Sequence, residues 1–207
     1  MHIRHQHLVK TQLRRLRPTQ MTVGFAEVQA KRVVWAGLAR GDRQRFLSSH
    51  WFPAVRGPGE NFYVVDHHHA GLALMQEGVA QGFVVQLNDF SQLSKDEFWT
   101  LMEHHQWIHP YNSEGKRLTP AALPKTLEGL ADDPYRSLAG AVRNAGGFPK
   151  DQTPFAEFLW ADFFRRRIKA AKLARDSDAA LQTALALCHS GAAAHLPGWS
   201  GTVAPKG

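Results

Sequence analysis

Asp66, His67, His68 and His69 stand together in the stretch FYVVDHHHAGLAL, residues 62–74. A β-prone apolar run ends in the aspartate, and a helix-like run starts after the histidines. Three kinds of chemistry suit this set. Imidazoles bind Zn, Ni, Cu or Fe. Neighbours on a strand point to opposite faces, however, and neighbours on a helix fan out by about 100°. At most two of the three histidines can therefore share one metal, and no H-x-x-x-H or H-E-x-x-H spacing supports them, although His104, His105 and His109 could add ligands from elsewhere. Alternatively, the histidines cap the helix or face solvent. The third reading is positional. Where a strand passes into a helix, backbone N–H groups and the positive end of the helix dipole favour phosphate. Histidines on that turn can donate to phosphate oxygens or relay protons near neutral pH. Asp66 can hold a metal-bound water, orient a histidine or accept a proton.

The elements that must position this set alternate. QLRRLRPTQMTVG, residues 12–24, reads as a strand and turn. FAEVQAKRVVWAGL, residues 25–38, has helical spacing with Val28, Val33 or Val34 and Leu38 on its apolar side, and GDRQRFLSSH forms a second short helix. WFPAVRG is a strand that Pro53 places at a sheet edge. A turn at GPGE leads to the strand NFYVVD, the helix HHHAGLALMQEG closed by Gly78, and the strand FVVQLND. Near Ser91 the apolar period changes from 2 to 3.6. Ser94 and Glu97 open a helix at capping-box spacing. A loop rich in Pro, Gly and polar residues runs from His109 to Pro124. Another helix begins at Pro134 and ends at Gly146–Gly147. Thr153 and Pro154 cap and start a long helix through Arg175, with Phe155, Leu159, Phe163 and Trp160, Phe164, Ile168 at helical intervals. SDAALQTALALCHSG is the last helix. The expected organisation is an α/β domain over residues 1–90, a helical extension over 91–195 and a mobile tail over 196–207.

Composition bounds the setting. With 43% hydrophobic and 21% charged residues, the 207-residue chain has the balance of a soluble globular protein. Its single cysteine, Cys188, rules out an intrachain disulfide and points to a reducing, cytoplasmic setting. No apolar run approaches the ~18 residues of a membrane span, and the basic N-terminus lacks the apolar core of a secretory signal. The net charge is +7. Residues 1–26 hold no acid but carry Arg4, Lys10, Arg14, Arg15 and Arg17, and a second cluster, RRRIKAAKLAR, spans residues 165–175. Such clusters serve either as solvated surface or as contacts for phosphate backbones.

LRPTQMTVG, followed by WFPAVRGPGENFYVVDHHHAGLAL, resembles the core of the ParB/sulfiredoxin superfamily. There a strand with L-x-P-x-x-(I/V), a helix and a PVxV strand lead to Y-x-V-D-G-H-H-R or GERR. The nearer resemblance is to the ParB-like nuclease branch. It extends through LSKDEFWTLMEHHQWIHPYNSEGKR, DDPYRSLAGAVRNAGGF and EFLWADFFR, and so over about residues 10–168. The resemblance implies a nucleotide- or nucleic-acid-handling fold. Superfamily relatives include CTP-binding partition proteins, ATP-using sulfiredoxins, a free-serine kinase and nucleases, and the loop after that strand meets phosphate at a helix N-terminus. Carried over residue by residue, Asp66 matches the motif aspartate and His68 and His69 match the H-H pair. His67 replaces the usual Gly. Ala70 replaces the usual Arg and removes a bidentate phosphate contact, which favours a histidine-based or divalent-metal-based mechanism over CTP- or ATP-dependent chemistry. Sulfiredoxin activity needs a motif cysteine that is absent.

The remaining candidates complete the expectation. Glu27 and Lys31 lie one turn apart and can both face the site, Glu27 as a general base or metal ligand, or can form a surface i,i+4 pair. Asp132 and Asp133 precede a helix and read as caps. Tyr135 and Arg136 read as a link to the first domain; Trp160, Phe163 and Phe164 as core; Glu157 and Asp162 as partners for arginines. The fold class is α/β, a ParB/sulfiredoxin-like domain with an all-helical C-terminal extension. The function expected is action on a phosphodiester or nucleotide phosphate at Asp66–His69, as nuclease, phosphohydrolase or phosphotransferase. Asp66, His68, His69 and Glu27 would be catalytic, and His67, Arg17, Lys31, Arg165, Arg166 and Arg167 would hold phosphate. The cofactor would be a divalent metal or a nucleoside triphosphate, and the partner a nucleic acid or nucleotide, not a membrane. The alternatives are a non-enzymatic partition-type DNA-binding module, against which stands the lack of a helix-turn-helix pattern, and a serine-type kinase. Two of the three histidines should point into a concave site, with His68 and His69 exposed enough to be replaced without loss of stability.

Overall fold

The structure is a computed structural model and describes residues 8–202. The chain divides into two compact units, Met1–Asp132 and Asp133–Gly207.

The first unit is built on a five-stranded mixed sheet. Its strands are β1 (Leu8–Gln12), β2 (Leu16–Pro18), β4 (Phe52–Gly57), β5 (Asn61–Val64) and β6 (Gln81–Asp89), in the order β1-β6-β4-β5-β2. β6 is antiparallel to β1 and parallel to β4, while β5 is antiparallel to β4 and parallel to β2. A separate two-residue strand, β3 (Thr22–Val23), pairs in parallel with β7 (Ala131–Asp132). The helices are α1 (Phe25–Ala36), α2 (Arg40–Ser49), α3 (His68–Gln76) and α4 (Lys95–His104).

The position of β4 corrects the edge-strand expectation, because β4 lies at the centre of the sheet. Pro53 is tolerated there because its polar groups face β5 one residue outside the Ala54–Val64 rung, and its carbonyl accepts the Val65 N–H at 3.0 Å. The missing N–H therefore removes no bond from the ladder to β6.

Two apolar clusters sandwich the sheet. Leu13, Leu16, Phe52, Ala54, Val64, Leu72, Val84 and Leu127 form one, closed by α1 and α3. Gly71 permits this closure, since a Cβ there would stand 2.7 Å from Leu127 Cδ1. On α1 the buried residues are Val28 and Trp35, whereas Val33 and Val34 are 63% and 55% exposed, contrary to the expected face. Trp35 turns the helix by packing edge-on against Phe46 of α2. The second cluster joins Val55 to Phe98, Met102, Ile108 and Leu123. Residues 91–132 thus cover the other side of the sheet and belong to the first unit, so the boundary falls after Asp132 rather than after residue 90. The capping box of α4 is present, with Ser94 Oγ accepting the Glu97 N–H and Glu97 accepting the Ser94 N–H.

The second unit consists of α5 (Pro134–Asn144), α6 (Ala156–Arg165), α7 (Ala170–Arg175) and α8 (Ser177–Cys188). Tyr135, Leu138, Val142, Phe148, Trp160, Phe164, Ile168, Ala184 and Cys188 form its core. The single helix expected over residues 153–175 starts late and is interrupted within. Phe155 takes a left-handed φ of 59°, so α6 starts at Ala156 instead of Pro154. After Arg165 the chain turns to bury Ile168, and the Tyr135 hydroxyl donates to the Ile168 carbonyl at 2.6 Å. The buried face of α6 is Phe158, Trp160, Ala161, Phe163 and Phe164, while Leu159 is exposed. The tail expected from residue 196 begins inside this core: Leu196 is buried, and the Trp160 indole N–H donates to the Pro197 carbonyl at 2.9 Å. Residues 203–207 of that tail, and Arg4 of the N-terminal basic cluster, lie outside the described residues. No helix among the described residues is long and apolar enough to cross a membrane.

Candidate functional site at the start of α3

β5 ends at Val64 and α3 begins at His68, so Val65, Asp66 and His67 make the turn between them. His67 occupies the left-handed region, φ 66° and ψ 22°. Its N–H donates to Asp66 Oδ1 at 2.6 Å, and its Nδ1 meets the Trp51 carbonyl at 2.8 Å. A carbonyl only accepts, so Nδ1 is the donor in this contact. The positive φ explains why the resembling motif carries Gly here, since glycine enters that region without a Cβ penalty. No side chain caps the first turn of α3, and Asp66 and His67 are exposed at its edge.

His68 has a different role from the one expected. It is buried, and its Nε2 accepts the Thr19 N–H at 3.1 Å. The Thr19 hydroxyl in turn donates to the Val64 carbonyl at 2.8 Å. Burial lowers the His68 pKa from 6.5 to about 4, against the opposing pull of the Asp66 charge. His68 is therefore a neutral bolt between the exit of β2 and the start of α3, buried where exposure was expected.

His69 turns the other way, toward α1. Its Nε2 lies 3.1 Å from the Gly24 N–H and 3.0 Å from Glu27 Oε2. Both side chains are largely covered, at 12% exposure for His69 and 19% for Glu27. With its proton on Nε2, His69 donates to Glu27; with Nε2 bare, it accepts from Gly24. Nε2 thus has both a donor and an acceptor within reach. Lys31 is exposed one turn beyond Glu27 on α1.

Arg17 is not brought to the histidines. Its guanidinium donates to Asn61 Oδ1 at 3.3 Å and to the Lys125 carbonyl at 2.5 Å. Arg165, Arg166 and Arg167 belong to the second unit. Arg165 is mostly buried, ion-paired to Asp133 at 2.6 Å and to Asp162, over the Tyr135 ring. This holds the start of α5, where Asp133 Oδ1 accepts the N–H groups of Tyr135 and Arg136. Arg136 pairs with Glu157 at 3.3 Å, so it and Tyr135 find partners inside their own unit. Arg166 and Arg167 are exposed, and Arg167 lies over the Phe163 ring at 3.8 Å.

Among the described residues no group of three or more His, Cys, Asp or Glu side chains is placed to hold a metal ion. His104, His105 and His109 pair with rings: His104 with His105, His105 with Trp107, and His109 with Tyr111. Sequence reasoning missed Thr19, Gly24 and Trp51, whose backbone atoms hold the three histidines. The expectation that Glu27 could face the site pointed to α1, but nothing in the sequence marked these three backbone partners.

The family described as "Putative ParB-like nuclease" matches residues 9–166. The crystal structure of protein Atu1540 from Agrobacterium tumefaciens is 44% identical, with a TM-score of 0.88 over 95% of this chain and 100% of that one. No curated protein matches.

Proposed function

The chain belongs to the ParB-like nuclease family, and from that premise we propose that it cleaves a phosphodiester or nucleotide phosphate held at the start of α3. One observation carries the reading: His69 Nε2 lies 3.0 Å from Glu27 Oε2 beside a helix start that no side chain caps. The first-turn amides and the helix dipole would offset the charge of the phosphate oxygens. His69, backed by Glu27, would take the proton of an attacking water as its oxygen bonds to phosphorus. His67, through the exposed Nε2 of its imidazolium form, would protonate the leaving oxygen as the old P–O bond breaks. Asp66 fixes the His67 turn, and Lys31 would draw the polyanion in. Ala70 leaves the site without an arginine clamp, which places more of the binding on the amides. The described residues provide no ready-made ligand set for a divalent ion, and none of these steps is routed through one.

The test is cleavage of labelled oligonucleotides and nucleotides by wild type, His69→Gln and Glu27→Gln. General acid–base groups contribute roughly 10²–10⁴-fold, so both variants should lose rate on that scale while phosphate affinity stays within a few-fold. Equal rates in all three proteins would overturn the reading.

A further inference from the structure

Rings stand at every second residue of HQWIHPY, residues 105–111: His105, Trp107, His109 and Tyr111. Over residues 107–111 the intervening Ile108 and Pro110 are buried, as in an extended chain whose alternate side chains take opposite faces, while His105 is the C-cap of α4 in the right-handed helical region. His105 is exposed and the other three rings are half-buried. His105 and Trp107 lie 4.3 Å apart between centroids and 17° from parallel, and His109 and Tyr111 lie 4.6 Å apart at 33°. Gln106, at a left-handed φ of 55°, turns the chain out of α4 into this row.

The row is tied to the site at the start of α3. The His109 N–H donates to the Thr19 carbonyl at 2.8 Å, and the Thr19 N–H donates to His68. Trp107 packs in the same apolar cluster as Val65, the residue before Asp66. Across the hairpin, Tyr111 pairs with Arg117, whose guanidinium is ion-paired with Glu103 at 2.7 Å, and the neighbouring Lys116 is exposed.

We propose that this row of rings stacks the unpaired bases of a single-stranded polynucleotide. Flat π faces beside an exposed lysine accept any base, whereas a duplex keeps its base faces within its own stack. The inference rests on the reading that polynucleotide phosphate docks at α3, and it adds the form of the substrate.

Fluorescence anisotropy tests it with a labelled single strand of about 12 nucleotides, the same strand as a duplex, and an abasic strand of equal length. The base-bearing single strand should bind tightest. His105→Ala should weaken it by about 5- to 100-fold, and His105→Phe should restore it. Equal affinity for the abasic strand or the duplex, no binding at all, or an unaffected His105→Ala variant would overturn the proposal. The two readings separate by outcome. Base-dependent binding by a wild type that cleaves nothing keeps this proposal and ends the hydrolytic one. Equal cleavage of single strand and duplex, with binding indifferent to bases, does the reverse.

Discussion

Replacing His68 by Ala removes the acceptor of the buried Thr19 N–H and opens a void beside Val64. An unsatisfied buried donor and a missing packed side chain together cost about 2–4 kcal/mol. Thermal unfolding should show this as a fall of many degrees in Tm; an unchanged Tm would place His68 outside the fold's support. The same residue makes stability depend on pH. Its folded pKa of about 4 lies below its ordinary 6.5, so between those values the unfolded chain binds the extra proton. Stability from this group is complete above about pH 6.5 and declines as pH falls toward 4, by up to roughly 3 kcal/mol in all. In His68→Gln this part of the slope in a urea titration series should disappear. At this scale the sequence singled out the four residues but not how differently they are placed. Three adjacent histidines read alike on paper. One faces Trp51, one is sealed against Thr19 and one turns to Glu27, because a single left-handed residue sets where the helix begins.

That left-handed residue gives a prediction for the element. A non-glycine side chain at φ 66° carries a penalty that glycine does not. His67→Ala should therefore be less stable than His67→Gly by about 1 kcal/mol, measured by chemical denaturation; the reverse order would mean that the turn relaxes in solution. At the start of α5, Asp133 both caps the helix and receives Arg165. Asp133→Ala should cost about 1–2 kcal/mol, since it removes the cap and one of the two carboxylates that hold Arg165, the other being Asp162. Three caps were legible, Ser94–Glu97, Asp133–Pro134 and Gly78, because a cap depends on three or four neighbouring residues; the expected Thr153–Pro154 start was not, since Phe155 takes a left-handed φ of 59° and α6 begins at Ala156. The break between α6 and α7 was not legible. It follows from the Tyr135 hydroxyl reaching Ile168, two residues far apart in the chain. The face of α1 failed for the same reason, since Phe46 from another helix selects Trp35 over Val33 and Val34.

For the whole molecule, the net charge of +7 predicts salt-dependent attraction to polyanions. Arg166→Ala with Arg167→Ala should leave Tm within a few degrees and, if these exposed cations meet phosphate, lower the slope of log affinity against log salt by about 1 for each phosphate no longer neutralised. Arg165→Ala should instead lower Tm, because its guanidinium is held by Asp133 and Asp162. The α/β class and the helical C-terminal part were legible from the change of period. The strand order and the unit boundary were not, because both depend on what covers the second face of the sheet, and α4 with residues 105–123 does so from outside the expected domain. Cys188 has a practical consequence. Burial in the second unit's core pushes its thiol up to about 12, so in the folded protein it is neither ionised nor accessible to reagents. As the chain's single cysteine, it makes a built-in reporter: a thiol-reactive dye should label the protein only at the rate at which α5–α8 open. Labelling followed in rising denaturant would then read the stability of residues 133–207 separately from that of the sheet, without introducing a single mutation.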